Sequence, residues 1–143
     1  MLTELIVATF RLNGRLMEVG QRLAVAGGIT AAWWQVLGGV LDEPRTVAEI
    51  GRRMGMTRQG VQRVADLLVE NGLADFQPNP NHRRAKLLAC TEAGYWAIRQ
   101  IAIAQHPWAN AVGDAIGLRE LRRTLEMIQR ITAFLEADGA GAR

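Results

Sequence analysis

One stretch constrains the fold of this chain more than any other. Residues 46–72 hold two short helical repeats of apolar residues, separated by only three positions. Thr46-Val-Ala-Glu49 has the spacing of a capping box, in which hydroxyl and carboxylate each satisfy a backbone N–H at a helix start. A helix therefore starts at Thr46, with Val47, Ile50 and Met54 on one face. Gly55 suits the left-handed residue that ends it. Thr57 then caps a second helix, carried by Val61, Val64, Ala65 and Leu68 and stopped by Asn71-Gly72. Two short helices joined this tightly read as a helix-turn-helix. Their crossing wants a small residue in the first helix, Gly in the turn and a β-branched residue in the second. Gly51, Gly55 and Val61 stand at those places.

The residues after Gly72 extend the motif. Residues 73–77 and 85–90 read as two strands, and Pro78-Asn-Pro-Asn-His-Arg-Arg84 between them has turn residues first and arginines last. A basic-tipped hairpin directly after a helix-turn-helix is a winged helix. The expected fold is mainly α with a small β-hairpin wing. Outside it, residues 3–26 read as a long helix, with Thr3 as N-cap and Gly27 as stop. A short apolar helix over 30–41 ends at Asp42-Glu43-Pro44. Thr91 caps a helix that reaches about Gln105 and stops near Pro107, and a last helix covers about 117–137. The tail over 138–143 is expected to fray. At 143 residues the chain is expected to be one domain, with a winged core over 30–96 and flanking helices over 3–26 and 97–137.

Composition narrows the chemistry. Sixteen of the seventeen basic residues are Arg, with Lys86 the one Lys, and there is no Ser. Arg suits bidentate work on phosphate and guanine. Without Ser there is no serine nucleophile. Cys90 cannot form an internal disulfide, and with His82 and His106 it makes no zinc cluster. Cys90 lies in the apolar run Leu87-Leu-Ala-Cys90, which suits an inert thiol. No catalysis, cofactor or metal is expected. Residues 23–41 carry no charge, but Gly27-Gly28 and Gly38-Gly39 interrupt them, so a membrane span is not expected. The N-terminus lacks a basic region ahead of an apolar one, and the expected location is the cytoplasm. The net charge is +3. Residues 45–86 hold eight basic against four acidic residues, and the remainder nine against ten. The excess therefore sits on the helix-turn-helix and wing, as a polyanionic partner would require.

The chain resembles the MarR family of bacterial winged-helix regulators. The residues that carry the likeness are Trp34-Gln-Val-Leu37, Thr46-Val-Ala-Glu-Ile-Gly51, Met56-Thr-Arg-Gln-Gly-Val-Gln-Arg-Val64, Glu70-Asn-Gly-Leu73, Asn79-Pro-Asn-His-Arg-Arg-Ala-Lys86 and Leu88-Ala-Cys-Thr-Glu-Ala-Gly94. The resemblance implies a homodimer on a palindromic operator, released by a small-molecule or oxidation signal, and more often a repressor than an activator. It places Thr57, Arg58, Gln59, Gln62 and Arg63 on the helix that enters the major groove, and Arg83, Arg84 and Lys86 on a wing at the minor groove. One position departs from the pattern. His82 stands where the family usually has the Asp that orients the wing Arg, here Arg84.

Two further sites are expected. Leu118, Leu121, Leu125, Ile128, Thr132 and Leu135 alternate at three and four, a coiled-coil-like stripe. Packing within the monomer explains that spacing equally well; the resemblance favours dimerisation. Trp33, Arg11 and Arg15 are the candidates to line an effector cleft, with Trp34 in the core. Cys90 is not expected to sense oxidation, because no charge or second Cys lies beside it in sequence. The alternative function is a winged-helix interaction module that does not bind DNA, favoured by His82 and the modest net charge. An enzyme is the least supported reading.

Overall fold

The computed structural model of the chain describes residues 1–141. It divides into two compact units, Met1–Ala104 and the segment from Gln105 onward. Helices dominate: α1 (Leu2–Ala24), α2 (Ala31–Gly38), α3 (Val47–Met54), α4 (Arg58–Glu70), α5 (Glu92–Ile116) and α6 (Leu118–Gly141). The strands are β1 (Arg45–Thr46), β2 (Ala74–Gln77) and β3 (Leu87–Cys90), antiparallel in the order β1-β3-β2. The expected class, mainly α with a small β wing, is the one observed. No described helix is long and apolar enough to cross a membrane.

The helix-turn-helix forms where its caps lie. Thr46 Oγ1 accepts from Glu49 N at 3.2 Å, and Thr46 N donates to Glu49 Oε2 at 2.8 Å, completing the capping box of α3. Gly55 ends α3 at φ 65°, a conformation that favours glycine. Gly51 is needed for a different reason: a Cβ there would lie 2.8 Å from the Met56 carbonyl oxygen, so a side chain would push the turn away. Thr57 Oγ1 accepts from Gly60 N at 3.0 Å and starts α4. Val61, Val64, Ala65 and Leu68 bury one face of α4 in a core shared with Val36, Leu37, Val40, Ile50, Leu88 and Ile101. Helix α4 is thus fixed by the core of the first unit. Each fully buried Leu or Ile contributes about 1.5–3 kcal/mol by burial alone.

The wing is tied to this core at its base. Leu88 pairs with Arg45 on one side and Phe76 on the other, which makes β3 the central strand. At the foot of β3, Thr91 Oγ1 donates to the Gly72 carbonyl at 2.7 Å and accepts from Gly94 N at 3.2 Å. That one hydroxyl joins the end of α4 to the start of α5.

Several boundaries differ from expectation. Helix α1 starts from Met1 without a side-chain cap, so Thr3 is an ordinary helical residue. It ends at Ala24, a single tighter turn occupies Val25–Gly27, and the left-handed residue is Gly28 rather than Gly27. Helix α2 stops at Gly38, short of residue 41. The strand β1 was not anticipated, since two residues carry no alternation to read. Pro107 does not stop α5, which runs on to Ile116. Proline removes one bond, to the Ile103 carbonyl four residues back, at about 3 kcal/mol. Residues 138–141 are helical rather than frayed. Ala133 and Ala137 are strong helix formers, and α6 carries through. Ala142 and Arg143, also expected to fray, lie outside the described residues.

Candidate nucleic-acid interface

Four of the expected contact residues line one cleft. It lies between α4 and the wing, has a volume of about 470 Å³ and presents Arg58 and Gln62 on one side and Arg84 and Lys86 on the other. Phe76 forms part of its lining, and Phe76 also packs against the core, so part of the cleft wall belongs to the rigid interior. Gln59 and Arg63 are exposed on α4 outside that lining, and Arg83 is exposed on the wing. Thr57 is exposed, and its oxygen is occupied by Gly60 N–H. Its own hydroxyl proton is left for an acceptor such as a phosphate oxygen. Of these groups, Arg58, Gln62, Arg84 and Lys86 share one cleft, and Gln59, Arg63 and Arg83 are exposed on the same two elements.

The position of His82 has a clear structural role. His82 Nδ1 accepts from Ala85 N at 3.1 Å. His82 N donates to the Asn79 carbonyl at 3.3 Å, and Asn79 Oδ1 accepts from Asn81 N at 3.0 Å. The imidazole therefore closes the wing turn through the backbone, and its bond goes to Ala85 rather than to Arg84. Arg84 is left exposed toward the cleft.

The charge count needs one correction. Arg45 lies in the basic segment but does not line the cleft. Its guanidinium donates to both carboxylate oxygens of Asp42, at 2.5 and 2.8 Å, to Glu43 Oε1 at 2.9 Å and to the Gly39 carbonyl at 2.9 Å. The Arg45 hydrogen bonds hold the Asp42 carboxyl well below the usual carboxylate range. Arg53 adds a looser contact to Asp42 at 3.8 Å. Arg45 is thus a clamp for the loop before β1.

Other expected groups are not brought together. Arg15 pairs with Glu18 at 2.9 Å, Arg11 is exposed, and Trp33 is half-buried against the core. Among the described residues no hydrogen bond or ion pair links these three. Trp34, expected in the core, is likewise half-buried and packed against it, so the two tryptophans are not distinguished by burial. Cys90 is partly buried, and burial pushes its thiol up to about 11. One contact was missed by sequence reasoning. Gln62 Nε2 donates to Asp66 Oδ1 at 2.8 Å. The i, i+4 spacing on an outward helix face was the available signal.

The comparisons agree with this geometry. A sequence profile described as MarR family matches residues 27–85. An uncharacterised Mycobacterium tuberculosis protein, Rv2011c, is 38% identical over 137 residues, 96% of each chain. The chain belongs to the MarR family. Among solved structures, the M. tuberculosis regulator MosR in complex with DNA superposes at a TM-score of 0.75, with 20% identity over 92% of this chain and 96% of that one. NadR in complex with 4-hydroxyphenylacetate superposes at 0.78, with 13% identity over 88% and 90%. At those identities the likeness is one of fold. In this MarR-family protein the profile match covers α2, α3, α4 and the wing turn, and it includes every residue that lines the cleft except Lys86.

Proposed function

We infer that this MarR-family protein is a sequence-specific DNA-binding transcriptional regulator and not an enzyme. The observation that carries the reading is the convergence of Arg58 and Gln62 from α4 with Arg84 and Lys86 from the wing on one exposed cleft. In this reading α4 enters the major groove. Arg58, Arg63, Gln59 and Gln62 face base edges there, and each bidentate Arg–guanine or Gln–adenine pair discriminates by about 1–3 kcal/mol. Thr57 and the first N–H groups of α4 hold a phosphate. Arg83, Arg84 and Lys86 track the backbone into the minor groove, where Arg responds to groove width through its potential.

The regulator acts as a homodimer. Within its own unit α6 leaves Leu118, Leu125, Ile128 and Leu135 exposed, while Leu121 is half-buried. In the other unit α1 exposes Leu5, Ile6, Phe10 and Leu12. So much apolar surface on soluble helices marks an interface. A two-fold dimer places two α4 helices about 34 Å apart, one turn of DNA, on a palindromic operator. Repression, and release by a small molecule, complete the proposal; the NadR complex with 4-hydroxyphenylacetate is its support for an organic acid as the signal. Arg11, Arg15 and Trp33 remain the proposed effector contacts.

The test is binding to a duplex chosen from random sequence. Arg63→Ala should relax the base preference, and Arg84→Ala should weaken binding to all sequences alike. If neither changes affinity, the interaction-module reading replaces this one.

A further inference from the structure

The outward stripe of α4 is Gln59, Gln62, Arg63 and Asp66, at offsets of three, four and seven, and all four are exposed. Three of them offer amides or guanidinium to bases. Asp66 is a carboxylate on a surface that faces a polyanion, where its charge opposes phosphate. Its side chain is nonetheless engaged, because Gln62 Nε2 donates to Asp66 Oδ1 at 2.8 Å across one helical turn. A carboxylate only accepts, so the bond fixes which end of the Gln62 amide turns toward Asp66. The reverse orientation would set two oxygens against each other.

This orientation limits what Gln62 can read. One N–H of the amide is spent on Asp66, which leaves one N–H and Oε1 for a base. Adenine offers an acceptor at N7 and a donor at N6, and guanine offers two acceptors at N7 and O6. A free amide can turn both N–H groups to guanine. An amide anchored by Asp66 cannot, and it meets the second guanine acceptor with an oxygen. We propose that Asp66 is a positioning residue that sets Gln62 to select adenine over guanine at one base pair of each half-site. Asp66 acts through Gln62 and reads no base itself. The proposal rests on α4 being the major-groove helix.

The experiment uses the full-length dimer and duplexes carrying the sequence that the wild type selects, changed one base pair at a time between adenine and guanine. Fluorescence anisotropy gives the adenine-to-guanine affinity ratio at each position. Gln62→Ala identifies the position that Gln62 reads, by collapsing its ratio. Asp66→Ala should lower the ratio there about tenfold, leave the other positions alone and add nothing in the Gln62→Ala background. Asp66→Asn removes the charge and can either accept from or donate to the Gln62 amide, so it no longer fixes the orientation; the ratio should fall at that position as it does for Asp66→Ala, with affinity raised for every duplex. Circular dichroism checks that each variant is folded. A uniform rise in affinity for Asp66→Ala with an unchanged ratio overturns the proposal, as does an equal shift in the Gln62→Ala background. Either result leaves the regulator reading standing. A wild type that favours no sequence overturns both.

Discussion

The wing cation Arg84 offers the sharpest quantitative test of how this protein holds DNA. Arg84 is exposed, lines the cleft and has no ion-pair partner among the described residues. Arg58, Arg63, Arg83 and Lys86 share that freedom, whereas Arg45 is already clamped by Asp42 and Glu43. Each neutralised phosphate contributes about 0.9 to the slope of log K against log salt. The three wing cations Arg83, Arg84 and Lys86, the ones assigned to the DNA backbone, would then contribute about −5 to the slope of the dimer. Arg84→Ala removes one contact per protomer and should flatten the slope by about 1.8. Between about 50 and 200 mM salt, the affinity gap between wild type and variant should therefore shrink about twelvefold. Fluorescence anisotropy with one labelled duplex across that range measures both slopes. Arg45→Ala is the control and should keep the wild-type slope. An unchanged slope for Arg84→Ala, or an equal flattening for Arg45→Ala, would refute the division of cations between cleft and clamp.

The same geometry sets three further outcomes. Leu125→Glu together with Ile128→Glu places charge on the exposed stripe of α6; the proposed dimer predicts that sedimentation shows a dimer for the wild type and monomers for this variant at the same concentration. Gly94→Ala drives a Cβ into the Leu73 carbonyl oxygen. The blocking atom is backbone, so thermal or urea unfolding should show a loss of about 3 kcal/mol, the upper end for overpacking. Burial holds the Cys90 thiol up at about 11, so the native protein should react with a thiol reagent at pH 7 far more slowly than the unfolded chain, and Cys90→Ala should leave any response to peroxide unchanged.

The readable parts of the chain were those whose signals are local. Thr46, Gly55, Thr57 and Asn71-Gly72 place the ends of α3 and α4 because capping and left-handed residues act within a few positions. Because Val61, Val64, Ala65 and Leu68 bury one face of α4, the residues Arg58, Gln59, Gln62 and Arg63 are left exposed. What escaped depends on chain segments meeting in space or on small energies. β1 exists because Arg45 and Thr46 meet Leu87 and Leu88, some forty residues later. Pro107 stays helical because the cost of one bond is outweighed by the helix on either side. Arg45 counted as a free cation until its neighbours Asp42 and Glu43 were seen to fold back on it. His82 looked like a lost carboxylate partner for Arg84, but an imidazole nitrogen can accept a backbone N–H, and it closes the turn that way.

The most direct measurement of the central claim is selection of bound duplexes from a random pool by the full-length protein. A palindromic consensus is expected, with half-site centres about 10 base pairs apart, the spacing of two major-groove helices in a two-fold dimer. Enrichment should be lost when Arg63 and Arg84 are both changed to Ala. Recovery of no consensus, or of one that survives that double change, would contradict it.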